Sequence, residues 1–367
     1  MNAQPEPLMT DRLAEAAQIL KDAIVIDTLG GAVVHPTPHA ATGTYEESLV
    51  GHGWNALHVT LVSEPSYTPT WEQVQRAIYE NLLNFEMSPK VRHVERVDDL
   101  YEAKRNGQLG VILGIQSASC IGAERERLRL LHKLGLRSLQ LTYMERNLLG
   151  DGCLEPENRG LTHYGMQVIR ECNRLGILVD CAHVGIRTTL DAVAESTKPI
   201  VISHTAVRAL TENPRCVTDE QIKAVAAKGG VIGITAYAPF IRTDRPPTLG
   251  DYLDHFDYVI DLVGSDHVSF ATDWFDGKTK TNWATPWYYR KSRAAASTAH
   301  WASTDLASVR SSRMSSSGCS SAAGGQRTWA RSSAATICAS WKPHGNERRA
   351  PFGAIWDAMR RRRGSIG

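Results

Sequence analysis

The run GILVDCAHVG (176–185), followed by KPIVISHTAV (198–207), decides the fold. Each is a short apolar, β-branched segment that ends on a histidine. The stretch between them, TLDAVAES (189–196), spaces its apolar residues by three or four, as a helix does. Strand, helix, strand at this spacing is a parallel βα unit. Working outward, the same alternation continues in both directions. The apolar runs are AIVID (23–27), LHVTLV (57–62), LGVILGI (109–115), RSLQLTY (137–143), ILVDCAH (177–183), PIVISH (199–204), GVIGITA (230–236) and HVSFATD (267–273). Amphipathic stretches separate them, among them 71–87, 124–135, 164–176, 219–230 and 249–264. Several of these end on glycine, as helix C-termini do, and Thr218 with Asp219 ahead of Gln221 predicts an N-cap. Eight strands of this kind in series predict closure into a (β/α)8 TIM-type barrel, in which chemistry sits at the C-terminal ends of the strands.

The residues at or just beyond those ends are Asp27, Gln116, Tyr143, His183, His204 and Asp273. Neutral imidazole nitrogen and carboxylate oxygen are the usual ligands of a catalytic zinc, which keeps an open position for a water and lowers its pKa to ~7. Two histidines on adjacent strands five and six, with a carboxylate after strand eight, fit that chemistry: His183 and His204 as metal ligands, Asp273 as the catalytic proton acceptor. The competing reading of each histidine alone is a hydrogen-bonded residue of the barrel interior.

With these residues in view, the segments GLTHYGMQVIRECNRLGILVDCAHVG, KPIVISHTAVRAL, NPRCVTDEQIKAVAAKGGVIGI and ATDWFDG together resemble the renal (membrane) dipeptidase family of zinc peptidases. The resemblance is continuous over about residues 20 to 289. It implies an amidohydrolase-type barrel that hydrolyses the amide bond of dipeptides or similar small amides. His183 and His204 match the two histidines of one metal, and Asp273 matches the aspartate that contacts the metal-bound water. Arg215 of NPR matches the arginine that clamps the substrate carboxylate; apart from the resemblance it reads as a solvated loop arginine.

The pattern is broken elsewhere. The family's first strand ends in a His-x-Asp pair for the other metal, where VIDTLGG places Leu29 and Gly31. The bridging carboxylate after strand three is replaced by the neutral Gln116, and a substrate-contacting histidine after strand four by Tyr143, which takes over as a candidate substrate contact. The matching positions therefore imply one zinc ion rather than two. His35 and His39 of the nearby HPTPH are weak substitutes, in a Pro-rich loop. Two functional readings stand: a one-metal hydrolase acting on a dipeptide, and a non-catalytic relative that binds a small carboxylated ligand through Arg215.

Composition adds limits. No apolar run approaches the ~20 residues of a membrane span, and the first residues lack the basic and apolar regions of a signal peptide, so cytoplasmic residence without a membrane partner is expected. The seven cysteines show no paired spacing and are expected to be free thiols. A homodimer remains open. The formal charge of +2 hides a split: from Arg290 onward 12 Arg and 2 Lys face three acids, whereas residues 1–289 carry 27 basic and 36 acidic residues.

A basic tail would ordinarily suggest a nucleic-acid partner. Here it is read differently. Of the 78 residues from Arg290, 42 are Ser, Ala or Arg, and helical periodicity disappears although the barrel still needs its last helix. One permitted encoding of 333–340 (SAATICAS), read two bases later, gives GGNYLRV, and the family closes with a segment resembling GGN-x-LRV. The expectation is a barrel domain over 1–289 and, over 290–367, a low-complexity disordered tail read out of frame, with no nucleic-acid partner implied. By ~25 cal/mol per Å2, losing a helix that covers several hundred Å2 costs several kcal/mol, comparable with a domain's whole net stability.

Overall fold

The computed structural model describes residues 16–30, 38–39, 43–62 and 68–273. Eight parallel strands among these residues follow one another around the sheet in chain order. They are β1 (Ile26–Asp27), β2 (Ala56–Thr60), β3 (Leu109–Ile115), β4 (Leu136–Gln140), β5 (Leu178–Asp180), β6 (Val201–Thr205), β7 (Val231–Thr235) and β8 (Val268–Ala271). The ring closes between its first and last members. Thr28 N donates to Phe270 O at 3.1 Å and Asp273 N to Leu29 O at 2.8 Å. All eight predicted strands are present, and the (β/α)8 barrel is the observed architecture.

Both faces of this sheet are covered, which explains the near-continuous apolar runs. Along β2, Leu57 and Val59 face outward and share a core with Val74 and Ile78 of the helix Trp71–Met87. His58, of opposite parity, turns inward, where its ring stands against Gly114 of β3; a β-carbon there would meet His58 Nε2 at 2.1 Å. The outer helices begin and end as their sequences dictate. Thr218 caps Asp219–Ala227 in a reciprocal capping box with Gln221, as the sequence predicts. Gly176 ends His163–Leu175 at φ 82°, a left-handed conformation that suits glycine, and delivers the chain into β5.

Three features differ from the sequence expectation. A ninth strand, Val91–His93, pairs with Leu109–Val111 of β3 outside the ring, and a helix, Val97–Arg105, follows it. Strand five stops at Asp180 and strand eight at Ala271, so His183 and Asp273 stand beyond the strands, in turns with φ of 60° and 51°. Apolar patterning marks where a strand lies but not the residue at which its ladder ends.

The five cysteines within the described residues are all free. No helix of the described residues is long and apolar enough to cross a membrane. Gly31, His35 and the segment 290–367 assigned to a tail lie outside the described residues, as does any helix after β8.

Candidate metal and substrate site

The C-terminal end of the barrel gathers five of the residues singled out above. His183 and His204 turn their Nε2 atoms toward each other at 2.7 Å, and the Gln116 side-chain nitrogen lies 3.1 Å from His204 Nε2. Tyr143 stacks on His183, ring centroids 4.0 Å apart at 22°. Arg215 enters from the loop after β6. Its Nη2 donates to His204 O at 2.6 Å, and its guanidinium carbon sits 5.4 Å from the centre of the Phe240 ring.

That placement corrects the reading of Arg215 as a solvated loop residue: it is 2% exposed. It forms no ion pair among the described residues, and its Nε lacks a hydrogen-bond partner there. A buried guanidinium without a counter-anion is costly and creates a strong preference for an anionic ligand. The cation also acts on its neighbours. Burial first, and then the Arg215 charge, hold His183 and His204 well below the ordinary histidine range. Both imidazoles are thus kept neutral, the state in which they can bind a metal.

Asp273 stands at the seam where the chain leaves β8 beside β1. Its backbone is tied to Leu29, and its charge opposes ionisation of Asp27. Asp27 is buried and accepts from Leu29 N at 3.1 Å, Thr272 N at 2.9 Å and the Thr272 hydroxyl. Burial outweighs these bonds and pushes its carboxyl up to about 7. The Asp27 carboxylate also fills the space beside Gly30, where a β-carbon would come 1.9 Å from Oδ2.

Leu29, where the resembled family has a ligand, is a buried hydrocarbon at 1% exposure. His39 lies in a two-residue strand, Pro38–His39, paired with Gly43–Thr44. Among the described residues no group of three or more His, Cys, Asp or Glu could hold a metal. Two neutral imidazoles converge among the described residues as donors suited to an ion, while Leu29 offers no donor and Gln116 no charge.

Sequence reasoning missed the polar layer beneath. Asp180 binds Ser203, which lies 2.8 Å from His204 Nδ1. His58, whose Nδ1 is 2.7 Å from Thr28 O, sits close enough to His204 to depress its basicity. The signal was present: a single acid after the apolar ILV of ILVDCAH and a single histidine inside the apolar and hydroxylic LHVTLV.

A parallel barrel whose polar side chains meet at the C-terminal strand ends is the architecture of the amidohydrolase-type enzymes. The family model for membrane dipeptidases, peptidase family M19, matches residues 55–317, and the chain belongs to that family. The match begins past the altered strand-one positions and ends inside the segment assigned to the tail. An uncharacterized dipeptidase of Schizosaccharomyces pombe is 34% identical over 195 residues, covering 51% of this chain and 46% of that protein. The dipeptidase verJ of Clonostachys rogersoniana is 34% identical over 184 residues, covering 49% and 46%. The chain thus matches less than half the length of these curated relatives. Among solved structures, an amidohydrolase from Pseudomonas aeruginosa superposes with a TM-score of 0.65 at 29% identity, covering 73% of this chain and 79% of that one.

Proposed function

We propose that the chain is a metal-dependent hydrolase of dipeptides or similar small carboxylated amides, working with a single ion. The observation that carries the reading is the meeting of two neutral imidazole nitrogens with a buried guanidinium that has no ion-pair partner among the described residues, at the C-terminal mouth of the barrel. His183 and His204 would hold the ion, zinc by the chemistry of the donors. The ion would supply an activated water and polarise the amide carbonyl. Arg215 binds the substrate carboxylate and fixes the amide's position relative to the histidines. Tyr143, stacked on His183, would contact the substrate beside the histidines. Asp273 takes a proton from the nucleophilic water and returns it to the leaving amine.

The alternative, a carboxylate-binding relative without catalysis, draws on the lost donors at 29 and 116. The dipeptidase relatives and the family match favour the hydrolase. Five free thiols support residence in a reducing compartment, and we place the protein in the cytoplasm on that basis.

The test is metal analysis together with dipeptide hydrolysis by the full chain, before and after chelation and zinc reconstitution. Near one zinc per chain with zinc-dependent turnover is expected. A zinc-loaded chain that cleaves no dipeptide or small amide overturns the proposal.

A further inference from the structure

We propose that Asp180 and Ser203 form a hydrogen-bonded relay that fixes the tautomer of His204 and bares its Nε2 toward the metal position, while His183 is left unset. In a dry interior every polar hydrogen must have an acceptor, so the protons of this cluster can be counted.

Asp180, at the end of β5, is 1% exposed. Its Oδ1 accepts from Ala182 N at 2.9 Å and Ser203 N at 3.0 Å, and its Oδ2 accepts from Ser203 Oγ at 2.5 Å. A carboxylate can only accept, so the one hydroxyl proton of Ser203 is committed to Asp180. Ser203 Oγ, 2.8 Å from His204 Nδ1, then has only lone pairs to offer that ring. His204 must carry its proton on Nδ1. Its Nε2 is consequently an open lone pair, and it faces two donors: the Gln116 amide at 3.1 Å and His183 Nε2 at 2.7 Å.

The consequence for His183 is independently visible. If its Nε2 proton is directed at His204, its Nδ1 must be bare, and His183 Nδ1 is a buried atom with no hydrogen-bond partner among the described residues. The two histidines are therefore unequal. His204 is pre-set as a ligand by a carboxylate acting through a hydroxyl, the arrangement that orients and strengthens metal-binding imidazoles. His183 has to move its proton from Nε2 to Nδ1 before it can offer a lone pair. It also sits at φ 60°, a conformation that L residues rarely adopt and that clusters at functional sites. Asp180 and Ser203 are positioning residues that act through His204.

The inference rests on the proposed function only for the role of the ion, and the experiment separates the two. Histidine-15N-labelled full chain, treated with chelator at neutral pH, is read by long-range proton–nitrogen correlation, with His204 identified by its loss in His204→Gln. His204 is expected as a single Nδ1-protonated tautomer in the parent and in Ser203→Thr, which keeps the hydroxyl. In Ser203→Ala the Nε2-protonated form should appear. In parallel, zinc titration against a competing chelator should show affinity reduced about 10- to 100-fold in Ser203→Ala and retained in Ser203→Thr. An Nε2-protonated His204 in the parent, or equal zinc affinity in Ser203→Ala and the parent, overturns the relay. A parent chain that takes up no zinc refutes the one-ion function instead, and the tautomer spectra of parent and Ser203→Thr still decide the relay.

Discussion

Asp27→Asn is expected to stabilise the metal-free chain above neutral pH and to leave it nearly unchanged near pH 4. Burial raises the Asp27 carboxyl from 3.8 to about 7, so between those values the folded chain holds a proton that the unfolded chain releases. The group's contribution to stability is fully present below the unfolded pKa and is lost as pH rises through the folded one. Three units at about 1.4 kcal/mol each give about 4 kcal/mol, lost across pH 4 to 7. Asparagine is isosteric: its Oδ1 can still accept from Leu29 N and Thr272 N, and its amide can donate to the Thr272 hydroxyl. It carries no charge to bury. His58, His183 and His204, all depressed, impose the opposite trend, because the unfolded chain gains their protons as pH falls below the usual histidine value of 6.5. Those contributions are common to both chains and cancel in the difference. Urea denaturation of parent and variant in chelator, from pH 4 to 8, measures it. The stability difference should grow with pH and level off above 7; a flat difference, or one that falls as pH rises, refutes the reasoning.

Arg215→Met should raise KM for a dipeptide with a free carboxylate by about 10- to 100-fold, the worth of hydrogen bonds to a charged group. A C-terminally amidated substrate should be far less affected, so steady-state kinetics with the matched pair is the check. Phe256 is fully buried beneath the helix Leu249–Val263, so Phe256→Ala should cost about 3–5 kcal/mol in denaturant unfolding. Gly176→Ala forces a β-carbon into a left-handed turn at φ 82° and should lower stability by about 1 kcal/mol in the same assay. The coding DNA around Arg290 should show that restoring one base yields a family-like C-terminus containing GGNYLRV; a coding sequence that cannot yield that string removes the frame explanation.

What could be read from the sequence divides along physical lines. The eight strands were legible because a parallel sheet covered on both faces must be apolar throughout, and the intervening helices because their buried stripe has a period of 3.6. The capping pair Thr218 and Gln221 was legible because its chemistry is local. Strand ends were not: at His183 and Asp273 the chain leaves the ladder through left-handed turns that hydrophobicity does not encode. Nor was the burial of Arg215, which follows from the fold of its loop back onto His204 and from Phe240 arriving from the next βα unit. The helix Val97–Arg105 escaped because a single turn-and-a-half of apolar contact, Leu100 and Ala103, leaves too short a pattern.

The site's asymmetry has a structural reason. At strand one, Leu29 joins the closure of the barrel through its backbone alone: Leu29 O receives Asp273 N, and Leu29 N donates to the Asp27 carboxyl, which itself reaches across to Thr272. The Leu29 side chain takes no part in those bonds, so the fold sets no requirement for a polar group at that position. His204 has no such freedom. Its ring is wedged between Ser203 Oγ on one edge and His183 and Gln116 on the other, its carbonyl holds Arg215, and Ser203 in turn anchors to Asp180 of the neighbouring strand. Replacing it would orphan several buried polar groups at once, each costing about 1–3 kcal/mol. His204 is thus fixed by the side chains of the barrel's polar interior, whereas position 29 is fixed by its backbone alone.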